Sequence, residues 1–233
     1  MPSLPPAIDL NVRTRGEGAL VVGVHDLLGS GQAVMRALRP LSTHGYRVMA
    51  PDLRGHGTSP TPEGPWSIDD LASDVARLVA AGGTPAIVVG QGLGAATALA
   101  LALGHPGLVS GLVLTGIGPR GESPDGQERW MRISKAFADR GADGAANAAE
   151  TMAHRPDWRG ALGQLDAPAV VIAGADDRSA PPAAQRELGV WLRRARFQTV
   201  ECGHDVLTEK PGVLLAAVEY LATADARPAA VAA

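Results

Sequence analysis

Two hydrophobic patterns alternate along the chain. Residues 19–24, 87–89, 111–115 and 169–173 are short continuous apolar runs rich in β-branched side chains, as expected of strands buried on both faces. Residues 47–50 and 196–200 read as two further short strands. Residues 33–41 and 68–81 carry apolar side chains at helical spacing, with Ser67 placed to cap the second helix, and 211–222 reads as a closing helix. Ile8, Leu10 and Val12 alternate with polar neighbours, which predicts a half-exposed first strand over 8–15 in a hairpin turned at Gly16-Glu17-Gly18. Strands alternating with helices predict an α/β fold, a mainly parallel sheet flanked by helices on both faces. Residues 120–167 break the rhythm, being polar, Gly-rich and helical in pattern, and predict a short helical cap above the strand ends.

The centre of this arrangement is Ile87-Val88-Val89-Gly90-Gln91-Gly92-Leu93-Gly94-Ala95-Ala96, followed by an Ala/Leu run to Leu103. Three β-branched residues, three alternate glycines and a run of strong helix formers predict a strand, a tight turn and a helix. At 233 residues the chain suffices for one domain over 1–224, and the Ala/Pro/Arg tail at 225–233 reads as disordered. A net charge of −3 gives no footprint for nucleic acid or for an anionic membrane, and no apolar stretch is long enough to span one. The N-terminal stretch to Asp9 has no secretory pattern, and the lone Cys202 excludes an internal disulfide, so a reducing cytoplasm is expected. No metal-ligand cluster stands out, and Gly90 to Gly94 lacks the Lys and Ser/Thr of a phosphate loop, so no cofactor is expected.

Several ordered blocks resemble the α/β-hydrolase superfamily. The glycine-rich turn resembles its nucleophile elbow, G-x-S-x-G, but with Gly92 at the serine position. Residues 21–31 resemble the strand and His-Gly loop that supplies an oxyanion donor, although Asp26 stands where glycine is usual. Residues 52–59 fit D-x-R-G-H-G-x-S in every fixed position, Gly174 to Asp177 fit the G-x-x-D that carries the acid, and Gly203-His204 fit the final G-H.

The resemblance implies His204 and Asp177 as the catalytic pair, with Asp176 disfavoured by its spacing, and Leu27 and Leu93 as backbone donors of an oxyanion hole. Such donors contribute about 3 kcal/mol each to transition-state stabilisation. Gly92 relieves backbone strain and is expected to leave a void the size of the missing CH₂OH group beside His204, room for one water. Cys202, His25 and His56 read as structural residues. Asp26 reads as a hydrogen-bonding residue of its turn or, if burial raises its pKa, a proton donor. Gln91 braces the elbow or touches a ligand, and Trp130 and Trp158 are candidates for the substrate pocket. Three readings follow: acid–base chemistry by His204 and Asp177 on a small carbonyl, ester or lactone in specialised metabolism, whether hydrolysis by activated water, isomerisation, cyclisation or a lyase reaction; a non-catalytic ligand- or protein-binding member; or a serine hydrolase, an esterase or lactonase, with an introduced glycine at 92.

Overall fold

The computed structural model describes residues 8–224; the N-terminal end and the tail over 225–233, with its expected disorder, lie outside them. Among the described residues seven strands form one sheet: β1 (Val12–Arg15), β2 (Ala19–Val24), β3 (Tyr46–Pro51), β4 (Ala86–Gln91), β5 (Val109–Thr115), β6 (Ala169–Gly174) and β7 (Ala195–Val200). Their order is β1-β3-β2-β4-β5-β6-β7, and every neighbouring pair is parallel except β1 with β3. The expected hairpin is therefore corrected. β1 pairs antiparallel with β3, because both edges of β2 are taken by β3 and β4. The alternation of Val12 and its neighbours marked an edge strand rather than a hairpin partner.

Side chains leave the sheet on both faces. Val22, Val88, Leu112 and Val171 belong to the core that includes the buried residues of α2 (Ile68–Gly82) and α3 (Leu93–Gly104). Val21, Val89, Val113 and Ile172 face α1 (Gly31–Leu38) and the closing helix α9 (Gly212–Ala224). Ser67 caps α2 in a capping box with Asp70, which satisfies N–H groups that otherwise have no partner at a helix start. In α3 every residue from Leu93 to Ala102 is buried, so this helix is apolar all round and fixed at the middle of the fold. Truncating one of its leucines, such as Leu99, would cost about 2–5 kcal/mol. Three helices lie between β5 and β6: α4 (Pro124–Ala138), α5 (Asp143–Ala153) and α6 (Arg159–Leu162). Two more, α7 (Pro182–Trp191) and α8 (Val206–Glu209), follow β6 and β7. Among the described residues no helix is long and apolar enough to cross a membrane.

Candidate active site

Loops from the C-terminal ends of β2, β4, β6 and β7 meet at one point. β4 ends at Gln91, and the chain turns into α3 through Gly92 with φ 53° and ψ −115°. That backbone is unfavourable for any residue with a side chain. Space forbids one as well, because a Cβ on Gly92 would lie 2.0 Å from Oδ1 and 2.3 Å from Cγ of Asp26. The expected void is thus corrected: the carboxyl group of Asp26 fills it.

Asp26 reaches this position because its loop is tied from behind. The buried His25 donates from Nδ1 to Asp26 O (2.7 Å) and accepts the Leu53 N–H at Nε2 (2.9 Å). Burial, reinforced by His56, lowers its pKa to about 4, so the ring is neutral as this pattern of one donor and one acceptor requires. The His56 ring spans the carbonyls of Arg54 and Leu27 at 2.9 and 2.5 Å. Both histidines join the loop after β2 to the one after β3. Asp52 secures the latter loop, its carboxylate accepting N–H bonds from Gly31 and Asn11 at 2.7 and 2.9 Å.

Both oxygens of the Asp26 carboxylate have hydrogen-bond partners. Oδ1 accepts the backbone N–H groups of Leu27 (2.7 Å) and Leu93 (2.9 Å), and Oδ2 accepts from His204 Nε2 (3.1 Å). On the far side of the ring, His204 Nδ1 lies 2.9 Å from Asp177 Oδ2. Asp177 is held in turn by the N–H groups of Ser179 and Ala180, both at 2.9 Å to Oδ1, and by Gln185 Nε2 at 3.0 Å to Oδ2. Gln185 also accepts the Gly116 N–H at 2.8 Å, so its amide orientation is fixed from both ends. The neighbouring Asp176 is exposed, and its backbone N–H donates to Cys202 O.

Charge follows this geometry. The hydrogen bond to Asp177, then that to Asp26, outweigh burial and raise the His204 pKa to about 10, so the imidazole is protonated at neutral pH. For Asp26, burial alone would raise the pKa. Hydrogen bonds from His204 and from the Leu93 and Leu27 N–H groups outweigh it and hold the carboxyl below its ordinary range. Asp26 is therefore ionised, which overturns its expected alternative as a proton donor with a raised pKa. The Asp26 and His204 side chains keep 27% and 30% of their surface exposed, against 0% for Asp177, so only the first two can meet a ligand.

They open onto a cleft of about 600 Å³ whose apolar wall includes Leu28, Ile117, Trp130, Ile133 and Met152. A smaller recess of about 190 Å³ lies beyond Leu28, beside Val34 and Gln91. Gln91 is buried and its Oε1 accepts the Leu207 N–H at 3.1 Å, bracing the elbow against α8. Trp158 does not line the large cleft. It is 4% exposed and packs in the core, with the Arg155 guanidinium 5.7 Å from its ring. The sequence reading missed Gln185 because α7 was not anticipated. The Pro-Pro start at 181 and 182, followed by apolar positions at 184 and 188, was the available signal. Among the described residues no group of three His, Cys, Asp or Glu is placed to hold a metal.

Fold and loop order define the class, and the chain belongs to the α/β-hydrolase fold family, whose profile matches residues 19–154. Similar proteins include a pimeloyl-[acyl-carrier protein] methyl ester esterase of Aromatoleum aromaticum, 31% identical across 78% of this chain and 90% of that one. A 2-(acetamidomethylene)succinate hydrolase of Mesorhizobium japonicum is 38% identical over 46% of this chain, a match spanning only 38% of that relative's length. Among solved structures, a thermophilic esterase from Thermogutta terrifontis superposes with a TM-score of 0.87 at 23% identity, covering 94% of both chains.

Proposed function

We propose that this chain is a cofactor-independent hydrolase for a small ester, lactone or related carbonyl compound, working without a serine nucleophile. One observation carries the reading. A continuous line of Asp177, His204 and Asp26 ends at the cleft, with the Asp26 carboxylate in the space that an elbow side chain would take. The relatives named as hydrolases and esterases support the hydrolytic class.

In this reading Gly92 stands at the nucleophile position, and His204 and Asp26 divide the proton work. His204, protonated between two carboxylates, supplies the proton to the departing oxygen. Asp26, ionised and accessible, accepts the proton of the attacking water. Asp177 orients the ring and stabilises its charge. The amide groups of Leu27 and Leu93 form an oxyanion-hole pair whose acceptor in the resting site is Asp26 itself. The close fit of Asp26 against Gly92 supports glycine as the natural partner of this aspartate rather than an introduced change. The single buried thiol of Cys202 suits a reducing cytoplasm.

The test is hydrolysis of a panel of short aryl esters and small lactones by the chain and by its His204→Ala and Asp26→Asn variants. The expected result is turnover by the chain that falls about 10²–10⁴-fold in each variant. Turnover unaffected by either change, or none on any substrate alongside saturable binding in the cleft, would overturn the reading in favour of a binding protein.

A further inference from the structure

We infer that Asp26 is also a nucleophile, moved from the elbow to the preceding loop, and that it attacks a saturated carbon bearing a leaving group. This uses the site proposed above for a different reaction. Its chemical reason lies in how the two backbone donors are used. With Leu27 and Leu93 N–H groups on Asp26 Oδ1 at 2.7 and 2.9 Å, a carbonyl substrate under attack must displace that oxygen before the two amides can meet its oxyanion. Displacement at a saturated carbon builds no oxyanion on the substrate, so it needs neither donor.

The same geometry prepares the second half of the reaction. Oδ2 is the oxygen left for attack, on a carboxylate that is 27% exposed at the cleft. Attack forms a bond from Oδ2 to the substrate carbon, and the leaving group departs with the electron pair of its own bond. The product is an ester of Asp26 whose carbonyl oxygen, Oδ1, already lies between the two amides. Once Asp26 is esterified its negative charge is gone, one of the two groups holding the extra proton on His204 is lost, and that proton passes to solvent. Neutral His204, still oriented by Asp177 at 2.9 Å, then takes a proton from water. The resulting hydroxide adds to Cγ, and the negative charge forms on Oδ1, where two N–H groups await it. Collapse breaks the Cγ–Oδ2 bond, His204 returns the proton to the departing alkoxide and takes up the one left on the new carboxyl group, and the carboxylate is restored with one oxygen from water. The balance is an alkyl halide plus water giving an alcohol, a halide ion and a proton; with an epoxide the His204 proton goes to the opened alkoxide instead of solvent, and the balance is epoxide plus water giving a diol.

The apolar wall of Leu28, Ile117, Trp130, Ile133 and Met152 suits a short hydrocarbon chain around the reacting carbon, while the rest of the cleft lining includes the charged Arg120, Arg129, Arg155 and Arg178. The test uses 1-bromobutane and a terminal epoxide in oxygen-18 water, with enzyme in excess so that each site turns over at most once. The expected result is unlabelled oxygen newly bonded to the attacked carbon in the product, and oxygen-18 in the peptide carrying Asp26. His204→Ala should accumulate protein heavier by the mass of the bound alkyl group, and Asp26→Asn should form no such species. Solvent label on the attacked carbon in that first turnover, or an absence of both turnover and adduct, would overturn the inference. Ester or lactone hydrolysis without any of this leaves the acid–base reading standing alone; alkylation without ester hydrolysis does the reverse.

Discussion

Two carboxylates flank His204 at nearly equal distances, yet their surroundings make them different reagents. Asp177 is wholly buried, with three N–H donors and the imidazole around it, and it has no surface to offer a substrate. Asp26 spends one oxygen on two backbone amides and shares the other between the imidazole and a cleft. A carboxylate fixed on all sides orients its partner; one fixed on one side can react. The distinction rests on exposure and on donor placement, since the side chains are chemically identical.

The largest effect expected from breaking this asymmetry comes from Gly92→Ser. The new Cβ must displace Asp26, and the positive φ adds about 1–3 kcal/mol of strain. The single variant should therefore lose stability and gain no burst of product from an activated aryl ester. Removing the obstruction as well, in Gly92→Ser with Asp26→Gly, should free the two amides and produce that burst by stopped-flow absorbance. Equal bursts from the single and double variants would show that Asp26 yields its place without cost.

A smaller effect separates the two carboxylates by titration. The His204 pKa of about 10 should fall toward 6.5 in both Asp177→Asn and Asp26→Asn, and further in the former because Asp177 is the larger cause of the shift. Histidine ring resonances followed by NMR against pH measure this directly. The same shift bears on stability. Between pH 6.5 and about 10 the folded chain holds a proton that the unfolded chain releases. This contribution is full below pH 6.5, declines as pH rises and is lost above about 10. Urea unfolding at pH 6 and pH 10 should show a decline that His204→Ala flattens.

The smallest effect expected is that of Gln185→Ala, which removes one donor from Asp177 and leaves the Gly116 N–H unpaired. A loss of about 1–3 kcal/mol in thermal or urea unfolding is expected, with Asp26 unaffected.

Much of the fold was legible because its signals are local. The apolar runs of β2, β4, β5 and β6, the Ser67 cap and the glycine turn each report on a few adjacent residues, and Asp177 and His204 were reached through the resemblance of residues 174–177 and 203–204 to the family's blocks. What escaped depends on side chains meeting across long separations. Asp26 and Leu93 are 67 residues apart, and nothing in either segment shows that a carboxylate will turn into the space above a glycine. The pairing of β1 with β3 was hidden for the same reason, since a strand's own pattern reports its exposure and not its neighbour.

The contact between Asp26 and Gly92 also has a consequence for descent. A serine at 92 and an aspartate at 26 compete for one volume, so neither exchange is free while the other residue remains. Lineages that cross between the two kinds of site must change both positions together or pass through a weakened intermediate. Sequences that join a His-Asp pair after the second strand to glycine at the elbow tip should therefore sort as a distinct branch, recognisable before any of their substrates is known.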